Sequence, residues 1–162
     1  MINLIKNPIF TRGIILEDGS IHGISHWRRV EKLGLTIAEE NGADQEVVSL
    51  FAYLHDARRE SDDDDPDHGK RAVVLLAELF EEGVIKINKL QYEKLARALG
   101  AHNITDAQSD DITVQTCWDA DRLDFWRSNI EPNPELMFTD FGKSEKMIKF
   151  AEILNQKPVF GI

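Results

Sequence analysis

The chain has 162 residues, enough for one domain to bury a sizeable apolar core without disulfides. With 19 basic residues against 29 acidic, its formal net charge is −10, which argues against non-specific binding to nucleic-acid phosphates and against docking on an anionic membrane. One cysteine, Cys117, excludes an intrachain disulfide and a multi-cysteine zinc site, and no apolar run approaches the ~18 residues of a membrane span.

The N-terminal stretch Met1–Lys6 lacks a signal-peptide pattern, so the chain reads as one cytoplasmic domain over 1–162. The first twenty or so residues mix extended and turn signals, and only Thr11–Leu16 alternates as a strand would. From there the period is helical. His26, Val30, Leu33 and Ile37 share one stripe of a helix over about 24–41, which Asn41-Gly42 ends. Asp44 is placed to cap the next helix, which carries Val47, Phe51, Leu54 and His55 and runs into Asp56. An acidic loop over 60–67 follows, expected to be a mobile, solvated lid. Asp65-Pro66 is a start signal for a third helix to about 82, with Val73, Leu76, Ala77 and Phe80 inward. Asn88 and Gln91 resemble a capping box opening a fourth helix with Tyr92, Leu95 and Leu99 inside and His102 near its end. A fifth helix, about 111–127, aligns Val114, Trp118, Asp121 and Phe125. The last, about 143–155, turns Met147, Phe150, Ala151 and Leu154 inward. The fold class is all-α, a compact bundle of about six or more helices around one core.

Polar residues on those apolar stripes mark where function begins. His26, His55 and Asp121 each lie on a face that should be buried. A buried carboxylate is costly unless paired or bound to a cation. Taken singly, each has an ordinary structural explanation: a satisfied core histidine, or Asp121 paired with Arg122 or Arg127. Several helices presenting such residues at once favour a divalent metal held by imidazole and carboxylate.

The ordered set His26, His55-Asp56, Asp121 resembles the HD-domain metal-dependent phosphohydrolase superfamily. His26-Trp-Arg-Arg-Val30, Leu50-Phe-Ala-Tyr-Leu-His55-Asp56 and Asp119-Ala-Asp-Arg-Leu-Asp124 carry the resemblance, which spans about 22–127. It implies that His26, His55, Asp56 and Asp121 are metal ligands. His68 and His102 fall where some members place further ligands, with Asp56 bridging two ions and orienting the attacking water as the catalytic residue. His22 is a further site candidate. Such a donor set suits one or two ions of manganese, iron, cobalt or nickel. Arg59 and Lys70 are the expected phosphate contacts. The activity implied is hydrolysis of a nucleotide or other small phosphate ester by metal-activated water, with a small phosphorylated metabolite as partner. An HD-type di-iron oxygenase and a metal-containing ligand-binding or regulatory domain are the alternatives. Self-association through the apolar tail Pro158–Ile162 is also open.

Overall fold

The computed structural model describes residues 20–156 together with Ile9 and Arg12. Six α-helices and two short 3₁₀ turns account for its regular structure, with no strand among the described residues. The helices are α1 (Ile24–Asn41), α2 (Gln45–Leu54), α3 (His68–Glu81), α4 (Lys89–Ala101), α5 (Ile112–Leu123) and α6 (Glu145–Gln156). The 3₁₀ turns are Asp124–Ser128 and Pro134–Leu136. No helix among the described residues is long and apolar enough to cross a membrane. The apolar tail at 158–162 and, apart from helical Arg12, the alternating stretch Thr11–Leu16 lie outside the described residues.

Local signals set the helix ends. Asp44 accepts from the amides of Glu46 and Val47, and Asp111 does the same for Thr113 and Val114, so α2 and α5 start on satisfied donors. Asn88 and Gln91 form a reciprocal capping box at α4. Gly42 ends α1 in the left-handed region at φ 76° and gives its N–H to the Ala38 carbonyl.

Packing then fixes the site. α1 lies against α2 and α5, α4 joins α2 and α5, and α3 packs mainly on α4. Leu33, Ile37, Phe51, Leu54, Leu75, Leu76, Leu79, Leu95 and Leu99 are fully enclosed. Burial of such side chains stabilises by about 1.5–3 kcal/mol each. Gly34 lets α1 approach α2, since a Cβ there would lie 2.6 Å from Val48 Cγ1.

Three expectations shift. α3 starts at His68, with Pro66 in the preceding turn, because the Asp65 carboxylate takes Arg71 (2.6 and 2.7 Å) and the Glu60 amide instead of capping the helix. Its buried face is Ala72, Leu75, Leu76 and Leu79. Val73 and Ala77 are half-buried, and Phe80 lies outside against the Tyr92 ring. Turning His68, Gly69 and Ala72 toward α4 sets that rotation. The α-helical part of α5 stops at Leu123 and the chain tightens into a 3₁₀ turn as the Asp124 carboxylate is captured from α1 and α6.

Candidate metal centre

Four histidines from four helices converge with the same polarity. His26 Nδ1 lies 2.7 Å from Asp124 Oδ2, and His55 Nδ1 lies 3.0 Å from the Ala52 carbonyl. His68 Nδ1 meets the Asp65 carbonyl, and His102 Nδ1 is 2.8 Å from the Leu99 carbonyl. Each Nδ1 faces an oxygen, so in the neutral ring it carries the proton and leaves the Nε2 lone pair facing the cluster of His26, His55, Asp56, His68 and His102. The Nε2 atoms meet in two pairs, His26 with His55 at 3.0 Å and His68 with His102 at 2.8 Å. Two lone pairs at that distance repel unless a cation lies between or beside them.

Asp56 sits between the pairs. Its Oδ2 is 3.4 Å from His55 Nε2 and 3.6 Å from His26 Nε2. Its Oδ1 is 3.4 Å from His68 Nε2 and 3.8 Å from His102 Nε2. Asp121 Oδ1 adds to the first group, 3.3 Å from His26 Nε2 and 3.8 Å from His55 Nε2, yet it is buried and accepts no hydrogen bond. Such an orphaned carboxylate oxygen beside imidazole lone pairs fits a bound cation. Two sets can each hold an ion: His26, His55 and Asp56, and Asp56, His68 and His102.

The electrostatics split each pair. Burial pushes His55 down to about 4, against the lift from Asp56 and Asp121. Burial and neighbouring His102 lower His68 as well. Burial opposes charge on His26 and His102 too, but nearby carboxylates lift both above the ordinary value. Burial would raise Asp56 and Asp121, yet the surrounding imidazoles hold both well below the usual carboxylate range. Both acids are therefore anionic acceptors at neutral pH.

The HD-domain model matches residues 23–126, a span that contains every residue of this cluster. The chain belongs to the HD-domain family. The fold agrees with two crystal structures. A predicted HD superfamily hydrolase from an uncultured Thermotogales bacterium aligns over 93% of this chain and 82% of its own, at 22% identity and TM-score 0.65. A structural-genomics target from Lactobacillus plantarum aligns over 96% and 91%, at 15% identity and TM-score 0.63. No curated protein matches the chain. HD domains bind divalent metals and form a superfamily of metal-dependent hydrolases.

The HD-domain cleft beside the cluster is a cavity of about 310 Å³. Asp56, Asp121, His68 and His102 form its floor, and Ile104, Phe125, Leu136 and Met137 supply an apolar wall. Arg59 reaches it, but its Nε and Nη2 donate to the Ser61 and Asp63 carbonyls and its Nη1 lies 3.1 Å from His68 Nδ1. Lys70 is not brought to the cleft; it is exposed and donates to Asp67 at 2.7 Å. His22 stands at the mouth, its Nδ1 2.9 Å from Asp62 Oδ1 and its ring edge-on to His26. Asp62 and Asp65 therefore tie the acidic loop down, through His22 and Ser20 on one side and Arg71 on the other. Trp27 is core, and Trp126 does not line the cleft.

Sequence reasoning gave no role to Asp124. It is fully buried in the HD domain, accepts from Arg29 at 2.7 and 3.0 Å and from Asn155 at 2.8 Å, and fixes the His26 ring. Its signal was a second carboxylate one helical turn after Asp121. Asp119, also buried, accepts instead from the amides of Phe138 and Thr139 and the Thr139 hydroxyl, anchoring the segment before α6.

Proposed function

We propose that this HD domain is a metal-dependent phosphohydrolase acting on a nucleotide or another small phosphate ester. The observation that carries this reading is Asp56, with one carboxylate oxygen toward each of two inward-facing histidine pairs. His26, His55, Asp56 and Asp121 would hold one ion, and His68, His102 and Asp56 would hold a second. The nitrogen-rich donor set favours manganese, iron, cobalt or nickel over magnesium. Divalent ions bound there supply Lewis acidity toward a phosphoryl oxygen and lower the pKa of water toward neutrality. Asp56 stays ionised and orients the attacking water from the midpoint of the site. Asp124 keeps the proton on His26 Nδ1, so Nε2 faces inward. Arg59 braces the loop that leads into His68 and places positive charge 3.9 Å from Asp56 Oδ1. The apolar wall excludes water around the ester's organic part.

Elemental analysis of protein purified without chelator or affinity metal, with a generic phosphatase assay and a nucleotide screen on the same sample, tests this. One to two equivalents of a transition metal with phosphate release is the expected result. Two irons with substrate-dependent oxygen uptake and no phosphate release would replace the reading with the oxygenase.

A further inference from the structure

Three arginines line the cleft, and two have their donors engaged. Arg59 gives its Nε and Nη2 to loop carbonyls, and Arg122 gives Nη1 to the Leu136 carbonyl while lying over the Phe138 ring. Arg127 differs. Its Nε and Nη1 are buried without a hydrogen-bond partner, and among the described residues no carboxylate lies within ion-pair distance of it. Its guanidinium carbon lies over the Phe125 ring, 5.5 Å from the ring centre. It stands close enough to His26 and Asp121 to act on both electrostatically. A guanidinium carries five N–H donors in a planar fork and stays charged at any physiological pH. Leaving Nε and Nη1 shielded and unmatched is unfavourable, unless an anion completes them. Arg127 lines the cleft with Asp121, Phe125 and Leu136, and it also lines a second pocket with Glu152 and Asn155.

We propose that Arg127 is the phosphate-anchoring residue of the cleft, taking an oxygen of the substrate's phosphate while the organic part rests on Phe125, Leu136, Met137 and Ile104; the phosphate identity rests on the phosphohydrolase reading. Arg127 is thus a substrate-binding residue, and the role expected of Arg59 and Lys70 passes to it. Planar bidentate donors suit a tetrahedral oxyanion with several equivalent oxygens.

The test uses metal-loaded full-length protein and inorganic phosphate as probe, with acetate as the carboxylate control. Isothermal titration should show that Arg127→Gln weakens phosphate binding by about tenfold or more, with metal content unchanged. Arg127→Lys should recover part of the loss. With p-nitrophenyl phosphate as the assay ester, KM should rise more than kcat falls. Phenylglyoxal labelling of the unmutated protein, read by mass spectrometry, should show Arg127 protected by phosphate and not by acetate; this needs no variant to fold. Undiminished phosphate binding in Arg127→Gln, absence of protection, or no phosphate binding by the unmutated protein would each overturn the assignment. Phosphate bound through Arg127 without turnover of any phosphate ester would leave the anchor standing and remove the hydrolase reading.

Discussion

The two histidine pairs of the cluster differ in how one ring, His26, is held. His26 and His55 are almost completely enclosed, and His26 is oriented by a side chain, Asp124, that is itself gripped by Arg29 and Asn155. His68 and His102 lean on backbone carbonyls of Asp65 and Leu99 and line the open cleft. One half therefore depends on a long-range side-chain contact at His26, whereas His55, like His68 and His102, leans on a backbone carbonyl three residues back in its own segment. A remote side-chain change can damage the first half. The second is reached through its ligands, through the Arg59-braced loop before His68 or through the spacing of α3 and α4.

Four substitutions probe that contrast. Asp56→Ala removes the one residue common to both halves. It should abolish metal at both positions and lower turnover by more than the roughly 100-fold typical of outer-shell changes, while circular dichroism shows the helices intact. Retention of full metal content would break the two-site description. His102→Gln should halve the metal stoichiometry measured by elemental analysis and leave the His26–His55 ion in place; loss of both ions would show that the halves do not bind independently. Asp124→Ala should weaken only the first ion, by about 10–100-fold, and destabilise the fold by about 3–5 kcal/mol because Arg29 is left unpaired beside a buried site. Its pH dependence has a definite sign. Burial would raise the Asp124 carboxyl, but His26 and Arg29 hold it below its ordinary 3.8. Its contribution to stability is thus complete above that value and fades as pH falls through the lower folded value. Denaturant titrations of the parent and Asp124→Ala should converge only in strong acid. The smallest effect is Gly69→Ala. A Cβ there would lie 2.8 Å from the Leu99 carbonyl oxygen and 3.4 Å from the His102 ring. It should cost about 1–3 kcal/mol by overpacking and loosen the second ion while sparing the first.

The same contrast explains what could be read from the sequence. His26 on the Val30–Leu33–Ile37 stripe and His55 after an apolar helix are visible because a polar residue on a buried face needs a reason. The all-α class and the positions of most helices follow from period and capping. Lys70 misled because nearness in sequence to His68 is not nearness in space. Two residues along an α-helix turn by about 200°, so when His68 faces the cleft Lys70 faces solvent. Asp119, Asp121 and Asp124 show the limit more sharply. All three are acids near the end of α5, yet one anchors a loop, one faces the metal cluster and one braces a histidine. Their assignment depends on where α gives way to 3₁₀ geometry and on partners far off in the chain, and neither is written in local pattern. Arg127 was legible only as a candidate ion-pair partner of Asp121; its lack of a hydrogen-bond partner at Nε and Nη1 is a property of the packed molecule.

The candidate ligands are scattered along the chain, and that has a consequence for its folding. His26 and His55 are separated by 29 residues, and His68 and His102 by 34. An ion at either position fastens these segments as a crosslink would. By loop-closure entropy, each such tie is comparable to a disulfide closing a similar loop, roughly 3–4 kcal/mol at 25 °C. A chain with one cysteine has no covalent means to the same end. Metal supply would then govern more than turnover: cells short of the ion would hold a looser, more protease-sensitive population, and the amount of intact protein would track the metal available to it.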